Sequence, residues 1–258
     1  MLRLPVSGCE VVVRPPDGAD DFAILEADGN VLARALVLLA RVASRADGAA
    51  GNWPALCVTD FEVLLAALRE TVLGPAVLCL FNCPRRDCGE RVEVGFRLPD
   101  YVAAARPGRP RGVVESERPQ WFRLEDASAS FRLPTAADQC AVLGRAECAR
   151  LLAERCLDPP DMPLATRARV ERAMAVMAPE VSRPIVGHCP ACGARVRAGL
   201  HLPTLVMTEL RRAAVGLHED VHVLASVYHW EEAAILALPR KRRQDYADRA
   251  RRLLAGAA

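Results

Sequence analysis

Aromatic residues are scarce in this chain and make up only 5% of it. Leucine, valine and alanine must therefore supply the apolar cores. The apolar fraction of 52% and the charged fraction of 26% are those of a globular protein, and 258 residues are enough for two ordinary domains and an appendage. A strong charge imbalance is also missing, since the net charge is only +2. The overall charge therefore gives no argument for binding nucleic acid or a membrane surface.

Long apolar runs are absent as well. The longest run, 31–42, contains Arg34 and Arg41 and is too short to span a bilayer. The N-terminus carries Pro5 and Glu10 where a secretory signal peptide needs an apolar stretch. These absences predict a cytoplasmic protein that makes no contact with membranes. In that compartment, ten cysteines are better explained as buried thiols and metal ligands than as disulfides.

The most informative stretch of the sequence occurs twice. Residues 83–102 read CPRRDCGERVEVGFRLPDYV, and residues 189–206 read CPACGARVRAGLHLPTLV. With a two-residue gap in the second copy, ten of its eighteen positions are identical. Each copy is a cysteine pair, a glycine and an alternating strand that ends at Leu-Pro. Chance is a poor explanation for this match, so the sequence indicates an internal duplication.

The duplication extends beyond the cysteine motif. The stretch FRLPTAAD at 131–138 matches VVVRPPDGAD at 11–20, since both predict a strand, an Arg-x-Pro turn and a helix. Two helices predicted further along the first copy, at 31–44 and 61–71, have counterparts in the second. Those counterparts are predicted at 146–156 and 164–177.

These patterns predict an α+β fold. It consists of two tandem duplicated domains, each with helices and a zinc-knuckle β-hairpin, and a C-terminal helical tail. The predicted divisions are a first domain, 1–105, a linker, 106–120, a second domain, 121–210, and the tail, 211–258. The linker prediction depends on the prolines, glycines and mixed charge of that segment.

The cysteine pairs predict a metal site. A Cys-Pro-x-Cys-Gly sequence at a hairpin tip is typical of a zinc knuckle, in which the turn directs backbone amides at the thiolates and the glycine adopts a positive φ. One knuckle supplies two ligands, whereas structural zinc takes four in a tetrahedron. We therefore predict one structural Zn²⁺ shared by Cys83, Cys88, Cys189 and Cys192. The two residues between Cys189 and Cys192 are standard, and the four between Cys83 and Cys88 are the upper end of the usual range.

Several alternatives stay open for these cysteines. They could be reduced vestiges of an older site, form a disulfide within each pair, or hold two separate metals. A redox-active pair is disfavoured because a strand follows each motif, whereas such pairs precede a helix that lowers the thiol pKa. His188 adjoins the second pair and could replace a ligand. The other cysteines stand singly in mostly apolar contexts and are predicted to be small buried hydrophobes; they are Cys9, Cys57, Cys79, Cys140, Cys148 and Cys156.

A second possible metal motif lies in the tail. His218, Glu219 and His222 satisfy the H-E-x-x-H pattern of zinc peptidases. The third ligand is missing, since His229 lies seven residues past His222 with no intervening glycine. A solvated helix face explains the pattern better. We therefore predict no catalytic residues, with a metallopeptidase as an alternative.

The tail also carries a basic segment. Residues 239–252 contain seven basic and two acidic side chains, and with the preceding helix they could form a helix-turn-helix. A zinc-ribbon regulator that binds nucleic acid through this helix is thus an alternative function. Because Asp245 and Asp248 interrupt the charges, a solvated face or a protein-docking surface fits better.

Three stretches together resemble a known family. FRLPTAAD leading into a helix, an Arg-Pro and strand before CPACG, and the closing VLASVYHWEEAAILALPRKRRQDY are similar to the baseplate hub assembly chaperones of contractile-tailed phages, whose relatives accompany phage-like contractile injection systems. The resemblance covers roughly 121–258 well. The first half matches more loosely, as a diverged duplicate.

The resemblance implies a non-enzymatic structural or assembly protein with chaperone-like action. Its partners would be baseplate, hub or other tail proteins of the same particle, with no small-molecule substrate. It would be found in the bacterial cytoplasm or incorporated in a phage-like particle. The candidate partner-binding residues belong to the closing tail pattern and are Tyr228, Trp230, Arg240, Lys241, Arg242 and Arg243.

Overall fold

The computed structural model of the chain describes residues 1–256, which form an α+β fold as predicted. The elements of the first half are β1 (Leu2–Arg3), β2 (Glu10–Val13), α1 (Gly18–Glu26), α2 (Val31–Val42), β3 (Ala43–Arg45), a 3₁₀ turn (Trp53–Ala55), α3 (Val58–Leu73), β4 (Ala76–Asn82), β5 (Arg91–Arg97) and α4 (Leu98–Ala103). Those of the second half are β6 (Val113–Glu115), β7 (Phe122–Leu124), β8 (Ser130–Phe131), α5 (Ala136–Val142), α6 (Cys148–Cys156), β9 (Leu157–Asp158), α7 (Leu164–Met177), β10 (Ile185–His188) and β11 (Arg195–Ala198). Four helices follow: α8 (Leu202–Ala214), α9 (Leu217–Tyr228), α10 (Glu232–Leu236) and α11 (Arg240–Gly256).

The strands form four small antiparallel sheets. The first half contains the sheet β1-β2-β3 and the hairpin β4-β5, and the second contains the sheet β6-β7-β8-β9 and the hairpin β10-β11. Each half therefore has one small sheet followed by one hairpin, with helices between them. Among residues 1–256, no helix is both long enough and apolar enough to cross a membrane.

Both halves begin with the same local structure. In the first, Asp20 completes a capping box at the start of α1 and accepts a hydrogen bond from Arg14 at 2.5 Å. In the second, Asp138 completes a capping box at the start of α5 and accepts one from Arg132 at 2.6 Å. Each carboxylate thus satisfies a free amide at a helix start and neutralises an arginine on the preceding segment. This repeated detail supports the duplication inferred from the sequence.

The largest apolar core joins the first half to α8. Leu39, Phe61 and Leu64 of α2 and α3 are fully buried in it, as are Val206 and Leu210 of α8. Helix α8 packs against α1, α2 and α3. Each fully buried large apolar side chain contributes about 1.5–3 kcal/mol. The second cysteine hairpin is therefore anchored at its C-terminal end in the core of the first half, although the sequence divisions placed 202–210 in the second domain.

A smaller core lies within the second half. Phe131, Leu157 and Val170 are buried between β8, β9 and α7. The segment 106–120, predicted as a linker, contributes strand β6 to the sheet around this core. Both of its valines pair with residues of β7: Val113 lies opposite Leu124, and Val114 lies opposite Arg123. The flanking prolines and glycines concealed this three-residue strand in the sequence.

Helices α9, α10 and α11 form a compact unit, the tail unit, with its own core. Leu224 and Ile235 are fully buried in that core. The unit docks on α1 through a buried ion pair in which Asp21 is 0% and Arg243 is 1% exposed, with Nη2 3.0 Å from Oδ2. Gly18 permits the close approach, because a Cβ there would lie 2.8 Å from the backbone of Leu236.

Candidate metal centre

The two cysteine pairs stand at the tips of two antiparallel hairpins. Strands β4 and β5 pair over seven positions, from Ala76 opposite Arg97 to Asn82 opposite Arg91. Strands β10 and β11 pair over four positions and end at His188. The first cysteine of each pair directly follows the outgoing strand. The predicted hairpin positions of both pairs are therefore confirmed.

Each turn has the geometry of a knuckle. The amide of Cys83 donates to the carbonyl of Glu90 at 2.8 Å, and the amide of Cys189 donates to the carbonyl of Ala194 at 2.8 Å. The glycine after each second cysteine has a positive φ, +64° at Gly89 and +71° at Gly193. Any other residue is strained in that conformation, so both glycines are needed to close the turns.

The four sulfur atoms meet between the hairpins. All of them lie within 4.8 Å of one another. The Sγ of Cys83 is 3.6 Å from that of Cys192, and the Sγ of Cys88 is 3.7 Å from that of Cys189. Four sulfurs arranged tetrahedrally at about 2.3 Å from one metal ion stand about 3.8 Å apart. The arrangement therefore fits a single metal ion with ligands from both halves.

All ten cysteines are free thiols, so neither pair forms a disulfide. The two close sulfur contacts run across the hairpins and join each pair to the other. Cysteines 101 and 109 positions apart are thus neighbours in space. This pattern is that of one shared site.

Two equivalent valines pack against the four cysteines. Val92 and Val196 occupy the same place after the two cysteine pairs and are only 2% and 4% exposed. They pack with the sulfurs in a small apolar cluster to which Phe81 and Val94 also belong. The cluster keeps Cys83 and Cys189 almost out of contact with water. A closed site of four thiols suits a structural metal, whereas a catalytic metal keeps one position open.

The thiols differ in their tendency to ionise. Desolvation raises the pKa of Cys189, but hydrogen bonds from the backbone amides of Cys192 and Ala191 and from the thiols of Cys192 and Cys88 outweigh it and hold that pKa at about 7. At Cys83 the amide of Arg85 lowers the pKa, but desolvation and the other three thiols raise it to about 12. Four thiols this close together disfavour one another's ionisation, so a full set of four thiolates requires a cation among them.

The second hairpin is fixed to the first half at its base. Ser182, just before β10, donates from its amide and its hydroxyl to Glu62 on α3, at 3.0 and 2.7 Å. Its hydroxyl oxygen also accepts the amide of Leu202, after β11, at 2.9 Å. The Tyr101 hydroxyl on α4 donates to the carbonyl of Arg183 at 2.6 Å. Glu62 and Tyr101 therefore position this hairpin. Neither role could be predicted from the sequence, because their partners lie 120 and 82 positions away.

Glu62→Gln is expected to change how stability depends on pH. Burial raises the pKa of Glu62 to about 7, although the bonds from Ser182 lower it. The folded state then holds this proton more tightly than the unfolded state. The stability that the protonated Glu62 contributes is fully present below the pKa of the unfolded state, near 4.5. It is lost as pH rises through the folded-state pKa of about 7. The melting temperature of the variant minus that of the wild type should therefore increase as pH rises from about 4.5 to about 7.

Thermal denaturation at a series of pH values measures this difference, and effects shared by both proteins cancel. Glu70→Gln, on the exposed side of the same helix, is the matched control and should show no such gain. A constant difference between Glu62→Gln and the wild type from about pH 4.5 to 7 would contradict the raised pKa.

Other predicted positions lie outside the cluster. His188 is exposed and does not belong to the group of potential metal ligands. Among the six single cysteines, Cys79 and Cys156 are buried, and burial raises the pKa of Cys156 to about 11. Cys9, Cys57 and Cys140 are half-buried. The expectation of burial is wrong for Cys148, which is exposed at the start of α6.

The histidine motif of the tail does not gather a metal site. His218, Glu219 and His222 are all exposed on α9, and the His218 ring packs against Phe22 with centroids 4.8 Å apart. Throughout residues 1–256, the four cysteines are the only group of three or more potential metal ligands. The exposure of all three side chains is that of a solvated helix face.

The candidate partner-binding residues divide into two sets. Arg240 and Arg243 face inward and form ion pairs with Asp21, whereas Lys241 and Arg242 are exposed. Tyr228 and Trp230 are half-buried and stack with centroids 5.1 Å apart, and both contact Tyr246. The two inward arginines hold the tail unit to α1, so Lys241 and Arg242 are the basic residues of this set that a partner can reach.

Comparison of the chain with protein-family models, with curated proteins and with solved structures found no match. The function therefore has to be argued from the cysteine site, from the surfaces that it holds in place and from the sequence resemblance.

Proposed function

We propose that the four cysteines hold one structural Zn²⁺ that fastens the two halves together. The observation that carries this is the meeting of four sulfurs from two hairpins at distances that suit one tetrahedral ion. Thiolates favour zinc among common divalent ions, and four protein ligands would fill a tetrahedral coordination sphere and leave no position for a substrate. When bound, zinc supplies a cross-link between the halves and no reaction.

We further propose that the protein is a non-enzymatic, chaperone-like assembly factor of a phage-like contractile tail or injection system. The resemblance of FRLPTAAD, CPACG and the closing tail pattern supports this. The structure adds support from placement: the tail pattern folds into one docked unit with its own core. Its exposed residues Lys241 and Arg242, together with the half-buried Tyr228 and Trp230, are the proposed contacts for a baseplate or hub protein.

The alternatives gain less support. A regulator that binds nucleic acid through α11 would have fewer basic residues available than the sequence indicates, because Arg240 and Arg243 are engaged with Asp21 and Arg251 with Asp220. A peptidase would need a third ligand beside His218 and His222.

A complementation experiment tests the proposed role. In the organism that carries the gene, sheath, tube and baseplate genes are expected nearby, and deletion is expected to abolish intact contractile particles in electron micrographs. Wild-type protein and Glu219→Gln should both restore the particles, because Glu219 has no catalytic part in this proposal. Normal particles without the gene would contradict it, and failure of Glu219→Gln alone would favour the peptidase.

A further inference from the structure

A small pocket in the second half, away from the cysteine site, is lined by three arginines. Arg111, Arg169 and Arg172 surround a cavity of about 280 Å³ whose floor is formed by Val113, Leu124 and Ala173. We name it the arginine pocket. No acidic side chain lines it. Its size, slightly below that of pockets that enclose whole small molecules, suits one or two side chains of a binding segment.

The walls of the arginine pocket are held in place before any ligand arrives. The segment that carries Arg111 is tied down on both sides: the amide of Gly108 donates to the carbonyl of Val176 on α7 at 2.8 Å, and the carbonyl of Gly112 accepts from the amide of Glu125 at 3.0 Å. Val113 then enters the sheet opposite Leu124. A ligand would therefore bind without first ordering this segment.

Two of the three arginines are unpaired. Arg169 donates to Asp126 at 2.7 Å, and Asp126 also accepts two hydrogen bonds from Ser128. Arg111 and Arg172 have no ion-pair or hydrogen-bond partner among the described side chains. By contrast, Arg167 on the same helix is paired with Glu171 at 2.9 Å. Arg111 and Arg172 therefore leave two guanidinium groups at the pocket free to bind a ligand.

The arginines and the apolar floor of the pocket together favour one class of ligand. Guanidinium groups bind carboxylates and phosphates through paired hydrogen bonds. A bare phosphate ion makes no use of the apolar floor, and the phosphodiester backbone of a nucleic acid likewise has no apolar group to place on it. A polypeptide in which Asp or Glu adjoins an apolar residue uses both the arginines and the floor.

We propose that the arginine pocket binds an acidic segment of a partner protein, with carboxylates on Arg111 and Arg172 and a neighbouring apolar side chain on the floor. This inference depends on the chemistry of the pocket alone and does not require the proposed role in particle assembly. The position also differs from the tail unit, so the two contacts can be tested separately.

A displayed library of random peptides, selected on the full-length protein, tests the proposal. Peptides recovered by the wild type are expected to carry Asp or Glu beside an apolar residue. Their affinity should fall at least about tenfold in the double variant Arg111→Ala, Arg172→Ala, because both proposed charged contacts are lost. Arg167→Ala is the matched control from the same helix and should bind like the wild type.

Affinity for a recovered peptide should also weaken as salt increases and when its acidic residues become Asn or Gln. Recovery of no acidic peptides, or equal binding by the double variant, would overturn the proposal. Competition by inorganic pyrophosphate at lower concentrations than the peptide would assign the pocket to a phosphate-bearing ligand instead. Circular dichroism of the double variant, whose exposed arginines support no core, should match that of the wild type.

Discussion

Replacing Cys189 and Cys192 together by serine is expected to abolish metal binding and to lower the melting temperature by about 10 °C or more. The two remaining thiols cannot complete a tetrahedral site. The hairpins β4-β5 and β10-β11 are two-stranded, and the buried valines near their tips, Val92 and Val196, belong to the metal cluster. Isolated two-stranded hairpins are marginal in water, so they depend on the link between their tips.

Elemental analysis and thermal denaturation measure these two effects. The wild type should contain about one zinc per chain, since a tetrahedral site needs all four thiolates. Cys148→Ser, which changes an exposed single cysteine, is the control and should alter neither quantity. Two zinc ions per chain would refute the shared site, and none would leave the cysteines as vestiges.

Amide hydrogen exchange shows which part of the structure is destabilised when the metal site is lost. In the double serine variant, exchange should accelerate first at β10 and β11, which pair over only four positions, compared with seven for the other hairpin. Protection in the main core around Phe61 and Leu64 should persist, because that core does not include the metal cluster. Uniform loss of protection would instead indicate that folding of the whole chain requires the metal.

Asp21→Ala is expected to destabilise the docked tail unit by about 3–5 kcal/mol, because it leaves the Arg243 guanidinium buried without its partner. Asp220 lies 3.8 Å from Nε of Arg243 and is already paired with Arg251 at 2.6 Å, so it offers limited compensation. Arg240 loses the same partner. The buried charge therefore has to be hydrated, which requires the tail unit to move away from α1.

Urea unfolding and limited proteolysis test this expectation. In Asp21→Ala, cleavage around α9 to α11 should begin at lower urea concentrations than unfolding of the main core. Asp28→Ala, at an exposed aspartate that forms no ion pair in the described part of the chain, is the control and should behave like the wild type. Gly18→Ala should reproduce the effect through steric contact with Leu236. A loss below about 1 kcal/mol in Asp21→Ala would mean that the pair contributes no more than a surface salt bridge.

The sequence was most informative where structure is local. The knuckles could be predicted because Cys-Pro, the second cysteine and its glycine lie within a few positions of one another. The Arg-x-Pro turns into α1 and α5 could be matched for the same reason. Even the sharing of one site followed from counting ligands, without any knowledge of distance.

The positions that the sequence did not reveal depend on contacts between distant parts of the chain. Nothing near Glu62 indicates that it holds Ser182, and nothing in α8 indicates that it packs on the helices of the first half. Arg243 did carry a signal. It lies on the same helix face as Ala247 and Ala250, both of which are fully buried. The helical spacing of these small apolar residues therefore indicates that Arg243 faces the interior.

Neither half of this protein holds a complete set of metal ligands. If the halves were separate molecules, closing the site would be a bimolecular step that fails on dilution. Because one chain carries both, the second cysteine pair is present at a high effective concentration near the first, and closure is independent of the amount of protein. Covalent continuity also removes the need for identical partners. This freedom accommodates four residues between the cysteines in one knuckle and two in the other, and a six-residue helix after one hairpin but a thirteen-residue helix after the other.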